Sequence, residues 1–153
     1  MIPNRGAFVA KPSEEDLRQV YRVREVLEHG MLEDAIRHRT EAQLRAMEEN
    51  LKAQEVLTQH YSRQEYVTLN HTFHWLVVEA SANKYYEKYL NELQNKVATY
   101  LLFWDTSTTN SLSLDLHLRI FEAFRDRDEQ KGVLALMEDL QLAEECVRES
   151  QQL

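Results

Sequence analysis

The sequence predicts an all-α protein, an antiparallel bundle of about six to seven helices. Three observations carry that expectation. The 153 residues hold only 3 Gly and 2 Pro, and beyond Gly30 the one strong breaker is Gly132. Apolar residues recur at helical spacing through most of the chain. Several of these periodic runs open on a Ser, Thr or Asp suited to capping a helix.

Residues 1–12 stand apart. Gly6 is followed by the β-prone run Ala7-Phe8-Val9-Ala10 and closed by Pro12, which reads as an extended arm or strand. Ser13 then caps a first helix whose first turn, Glu14-Glu15-Asp16, suits the positive end of the helix dipole. Leu17, Val20, Tyr21, Val23, Val26, Leu27 and Met31 form its apolar face, Gly30 interrupts it at a small cost, and it ends near His38. Thr40-Glu41-Ala42-Gln43 is a capping box. It opens a second helix with Leu44, Met47, Leu51, Val56 and Leu57 on one face, ending near His60.

A third helix is expected from Arg63 to Ala80, with Tyr66, Leu69, Phe73, Leu76 and Val77 inward, and Ser81-Ala82-Asn83 breaks it. A fourth runs from Lys84 to about Trp104. The polar stretch Asp105–Ser113 reads as a mobile loop. A fifth helix covers about Leu114 to Arg125, and a sixth, capped by Asp128, runs from Glu129 to Ser150. Neither an internal repeat nor a second domain is evident.

The formal net charge of −8 argues against duplex contact by these residues themselves, because such a surface is normally basic. Cys146 is the sole cysteine, so no intrachain disulfide forms, which suits a reducing, cytoplasmic setting. Carboxylates beside it, Glu144 and Glu145, disfavour a reactive thiolate. No apolar run approaches the ~18 residues of a membrane span, and no signal-peptide pattern is seen. Phosphate-binding glycine loops and nucleophile elbows are absent. The aromatics Tyr85, Tyr86, Tyr89, Tyr100, Phe103 and Trp104 read as core or interface at helical spacing.

The histidines are the most informative polar residues. His74 neighbours Phe73 and Val77 on the inner face of the third helix, with Asn70 one turn earlier on the same side. His117 precedes Ile120 and Phe121 on the fifth helix, and Asp139 lies in the sixth. Facing helices of a bundle can aim such groups at a common divalent metal, with Asn70 a weak fourth ligand. The alternative is a set of half-buried polar residues bonded to water or to each other. His29, His38, His60 and His71 read as surface-directed. Three function classes follow: a small-molecule sensor, a small metal-dependent enzyme, and a ligand-free helical interaction scaffold. The enzyme reading lacks a separate general base beside the ligand candidates.

The chain resembles the FCD domain, the effector-binding half of GntR-type bacterial transcription regulators. Five segments carry the resemblance: Gly6–Ala10 with Pro12-Ser13, Val23-Arg24-Glu25-Val26-Leu27-Glu28, Leu69-Asn70-His71-Thr72-Phe73-His74, Ala80-Ser81-Ala82-Asn83, and Leu116-His117 with Asp128 and Asp139-Leu140. It implies that residues 1–12 are the remnant of a wing and linker and 13–153 the effector-binding domain. It places the family's Asp/His/His/His metal site on Asn70, His74, His117 and Asp139. Asn70 stands where the family has Asp and Asp139 where it has His, leaving a donor set still suited to Zn²⁺, Ni²⁺ or Mn²⁺. The resemblance further implies a small carboxylate effector completing the coordination, faced by Arg24, and a homodimer that meets DNA only through a winged helix-turn-helix not in this chain. Arg24 has a competing reading as an i,i+4 partner of Glu28 on a solvated face. Asn83 has one as a cap of the fourth helix.

Overall fold

The computed structural model describes residues 13–101 and 109–150. They form six helices: α1 (Glu14–His38), α2 (Glu41–Gln59), α3 (Arg63–Ala80), α4 (Lys84–Leu101), α5 (Asn110–Asp126) and α6 (Glu129–Ser150). The expected arm at 1–12, the extension of α4 to Trp104 and the polar residues 105–108 lie outside the described residues.

The helix starts follow the capping chemistry. Ser13 Oγ accepts from the Asp16 amide at 3.0 Å, and Asp128 Oδ1 accepts from that of Lys131 at 3.0 Å. Thr40 and Gln43 close a reciprocal capping box. Helix α5 begins at Asn110, four residues before the expected Leu114. Local propensity loses here to tertiary contacts, because Asn110 and Ser113 are buried and the Ser113 hydroxyl bonds Tyr66 at 3.2 Å.

Helix α6 packs on α5 and α1, α2 on α3 and α5, and α3 on α1 and α4. Helix α4 sits at one side, held chiefly by α1 and α3. Two apolar clusters result. One joins Met31, Leu32 and Ile36 of α1 to Phe73, Ile120, Phe124 and Leu136. Gly132 permits its closest crossing: a Cβ there would lie 2.7 Å from Ile36 Cδ1 and 3.2 Å from Ala123 Cβ. The other cluster joins Leu17, Val20 and Tyr21 of α1 to Tyr66, Val97, Leu101 and Leu140.

Two arginines tie α1 to α5. Arg39, just past α1, donates to the carbonyls of Phe124 and Arg125 at the end of α5. Arg127, just past α5, donates to those of Ile36 (3.1 Å) and Arg37 (2.8 Å) at the end of α1. Each cation satisfies carbonyls that the helix itself leaves unpaired.

Three residues assigned to apolar faces are instead exposed: Val23, Val26 and Val56. On α1 the buried positions run Leu17, Val20, Tyr21, Arg24, Glu28 and Met31, so the inner stripe passes through two charged residues and leaves the valines on its flank.

Candidate metal centre

Between the two clusters the bundle buries a polar layer. His74 of α3, His117 of α5 and Asp139 of α6 are each at most 5% exposed. One ligand-type atom from each lies within 4.8 Å of the other two. His74 Nε2 is 3.1 Å from Asp139 Oδ2, and His117 Nε2 is 3.6 Å from Asp139 Oδ1. Ligand atoms on a tetrahedral Zn²⁺ with ~2.0–2.1 Å bonds stand roughly 3.3–3.4 Å apart, so both separations fit one ion with small adjustments.

His117 is held on several sides. Phe73 stacks on its ring at 4.2 Å between centroids, and the ring of His74 meets it edge-on at 5.1 Å. Its Nδ1 lies 2.8 Å from Gln54 Oε1. Gln54 Nε2 donates to Asn50 Oδ1 at 2.6 Å, and Asn50 Nδ2 donates to the Leu69 carbonyl at 3.2 Å. A backbone carbonyl only accepts, so it fixes the orientation of Asn50. Asn50 in turn fixes Gln54, and Gln54 leaves an acceptor facing Nδ1. The proton of a neutral His117 is therefore on Nδ1, and Nε2 presents a lone pair. That Nε2 is buried without a hydrogen-bond partner among the described residues. An orphaned, pre-oriented lone pair facing a carboxylate and a second imidazole is the donor set a divalent cation requires.

The electrostatics agree. Burial lowers the His117 pKa and outweighs the opposing pull of Asp139, so the ring stays neutral. Burial pushes the Asp139 carboxyl upward, and its contact with the His74 imidazole pulls it down.

Asp139 and His74 also border a small cavity with Arg24, Asn70, His71 and Gln94. Its free volume is about 20 Å³, room for one water-sized occupant. Asn70 thus lies at the same cavity as the triad's His74 and Asp139. Arg24 does pair with Glu28, Nε to Oε1 at 2.6 Å, but on a buried face, with 4% and 0% of the two side chains exposed. Asn83 does not border the cavity. It lies in the α3–α4 turn, where its Oδ1 accepts from the Tyr85 amide at 3.0 Å.

His71 corrects the surface-directed reading. It is half-buried at the cavity, desolvation lowers its pKa, and its Nε2 has no partner among the described residues. The sequence reading passed over Asn50, Gln54 and Gln94. Each interrupts an apolar stripe: Met47-Asn50-Leu51-Gln54-Leu57 on α2 and Leu90-Gln94-Val97-Leu101 on α4. A polar residue at a core position of an amphipathic helix was the available signal.

A helical bundle that gives its centre to converging ligand-type side chains has the architecture of a small-molecule-binding domain. Comparison with known proteins assigns the family. Residues 19–142 match the FCD domain. The chain is 28% identical over 152 residues to the HTH-type transcriptional repressor RspR of Escherichia coli (strain K12), covering 98% of this chain and 66% of that protein. The same figures hold for the uncharacterized HTH-type transcriptional regulator YdfH of Shigella flexneri. The chain thus spans just under two thirds of these curated relatives. The solved structure of E. coli McbR/YncC shares the fold, with a TM-score of 0.83 at 15% identity, over 91% of this chain and 67% of that one. The chain belongs to the FCD family and is a regulatory, effector-binding type of domain. No helix among the described residues is long and apolar enough to cross a membrane.

Proposed function

We propose that this domain senses a small carboxylic acid through a divalent metal held by His74 Nε2, His117 Nε2 and Asp139. Zn²⁺, Ni²⁺ and Mn²⁺ all accept such a set, with Asn70 a weak neighbouring donor. Bound there, the metal would supply a Lewis-acidic centre for the effector's carboxylate. With one carboxylate ligand, a divalent ion leaves a net positive site, and a monoanionic acid neutralises it. Arg24, at the same cavity, has further guanidinium donors beyond the Nε bonded to Glu28. The observation that carries the reading is the unpartnered Nε2 of His117, fixed as a lone pair by the Gln54–Asn50 chain.

An acid larger than the free volume displaces helices on binding. That displacement is the signal, passed to a winged helix-turn-helix in a longer regulator that works as a homodimer. The relatives' names, HTH-type transcriptional regulators, support the helix-turn-helix part of this arrangement.

Elemental analysis of untagged protein reloaded with Zn²⁺, Ni²⁺ or Mn²⁺ tests the reading. One metal per chain, lost in both His74→Ala and His117→Ala, is expected. A chelator then lowers the melting temperature, since a ligand at a hundred times its Kd adds about 2.7 kcal/mol. A parent chain that takes up no metal sinks the metal reading. A metal-free polar pocket is the second reading, and the direct His74–Asp139 contact at 3.1 Å favours it.

A further inference from the structure

Gln94 is a buried cavity residue that the metal reading leaves without a task. It is 4% exposed, it borders the cavity from α4, and neither its Nε2 nor its Oε1 has a hydrogen-bond partner among the described residues. A buried amide left without partners is costly, and an apolar side chain of similar size would fill the same stripe position without that cost. Asn50 and Gln54, by contrast, are buried amides with partners. The unsatisfied groups of Gln94 are one donor type and one acceptor type, so a ligand group that both donates and accepts satisfies them together. His71 Nε2, also unpartnered at the cavity, adds a further polar contact. Asp139 and His74, where the carboxylate would bind, border the same cavity.

We propose that Gln94 selects the effector: the domain takes a short carboxylic acid bearing a second, neutral group that donates and accepts hydrogen bonds, a hydroxyl or a carboxamide. The inference rests on the acid-sensing reading and narrows its ligand class. Plain fatty acids leave the amide unpaired and bind more weakly. Because the free volume is about 20 Å³, a three- or four-carbon acid needs a wider cavity. Helix α4, packed chiefly on α1 and α3, is the wall that carries Gln94.

Calorimetry with matched pairs tests this on Zn²⁺-loaded and chelator-treated protein. The pairs are propanoate against each enantiomer of lactate, butanoate against 3-hydroxybutanoate, and 4-methylpentanoate against 3-carbamoylpropanoate. In each pair that binds, the polar member is expected to bind about ten-fold tighter or better, and Gln94→Met is expected to erase that ratio while still binding the apolar member. The hydroxyl and carboxamide pairs decide which group is read. Gln94→Met without ligand is expected to melt at or above the parent temperature, since it removes only an unpartnered amide. Acids that bind with equal strength in every pair, or a ratio that survives Gln94→Met, overturn this inference and leave acid sensing standing. A polar preference that persists after chelation supports Gln94 and removes the metal. No binding by any acid in either form overturns acid sensing, and this inference with it. A Gln94→Met chain that melts well below the parent shows a structural partner for the amide and also overturns it.

Discussion

Two regions of this bundle are built on opposite principles. Around Gly132 the helices meet through fully buried apolar groups, with Ile36, Phe124 and Leu136 all at 0% exposure. Farther along, the same helices bury Arg24, Glu28, His117 and Asp139, and α4 adds Gln94; Glu28, His117 and Gln94 each carry an unpartnered atom among the described residues. Close packing in the apolar region gives cooperative stability. The polar layer costs stability, and such cost is tolerable where a ligand repays it. The bundle thus separates what holds it together from what it recognises.

The largest test of this division is Phe124→Ala. It empties the apolar region and is expected to cost about 3–5 kcal/mol in urea unfolding. A loss no greater than that of a polar-layer substitution would erase the contrast. Next is Gln54→Leu, which frees the His117 ring. Metal affinity is expected to fall about 10–100-fold. Nitrogen NMR of the metal-free imidazole should show one tautomer, Nδ1–H, in the parent and a mixture in the variant. An unmixed tautomer in Gln54→Leu would refute the orienting role. The smallest effect concerns Gly132→Ala. The added methyl meets Ile36 and Ala123, an overpacking cost of about 1–3 kcal/mol, against which the better helix propensity of Ala returns at most about 1 kcal/mol. A net loss of about 1 kcal/mol in thermal or urea unfolding is expected, whereas a gain would mean that the crossing has slack.

Helix existence was readable because caps and periodicity are local. Ser13, Thr40 and Asp128 cap where the pattern placed them. The start of α5 was not, since the helical state of Asn110 and Ser113 depends on burial against distant partners, Tyr66 among them. The convergence of His74, His117 and Asp139 was legible only as a hypothesis of spacing. Three residues on three helices meet by tertiary packing, which no local pattern encodes. His71, which the sequence suggests is surface-directed, borders the cavity together with Gln94 of α4, a meeting of two helices that no local pattern encodes. Val23 and Val26 erred in the opposite direction. Apolar character alone put them inside, although the inner stripe of α1 is continued by Arg24 and Glu28.

The chain from His117 through Gln54 and Asn50 to the Leu69 carbonyl contains, beyond the imidazole, no member that gains or loses a proton in water's ordinary range. Metal-bound histidines are often oriented by a carboxylate, whose grip slackens when it protonates. Two amides ending on a peptide group have no such failure point. The aim of Nε2 is therefore the same in mild acid as in mild base, and acidity reaches this site only through the rings and the carboxylate themselves.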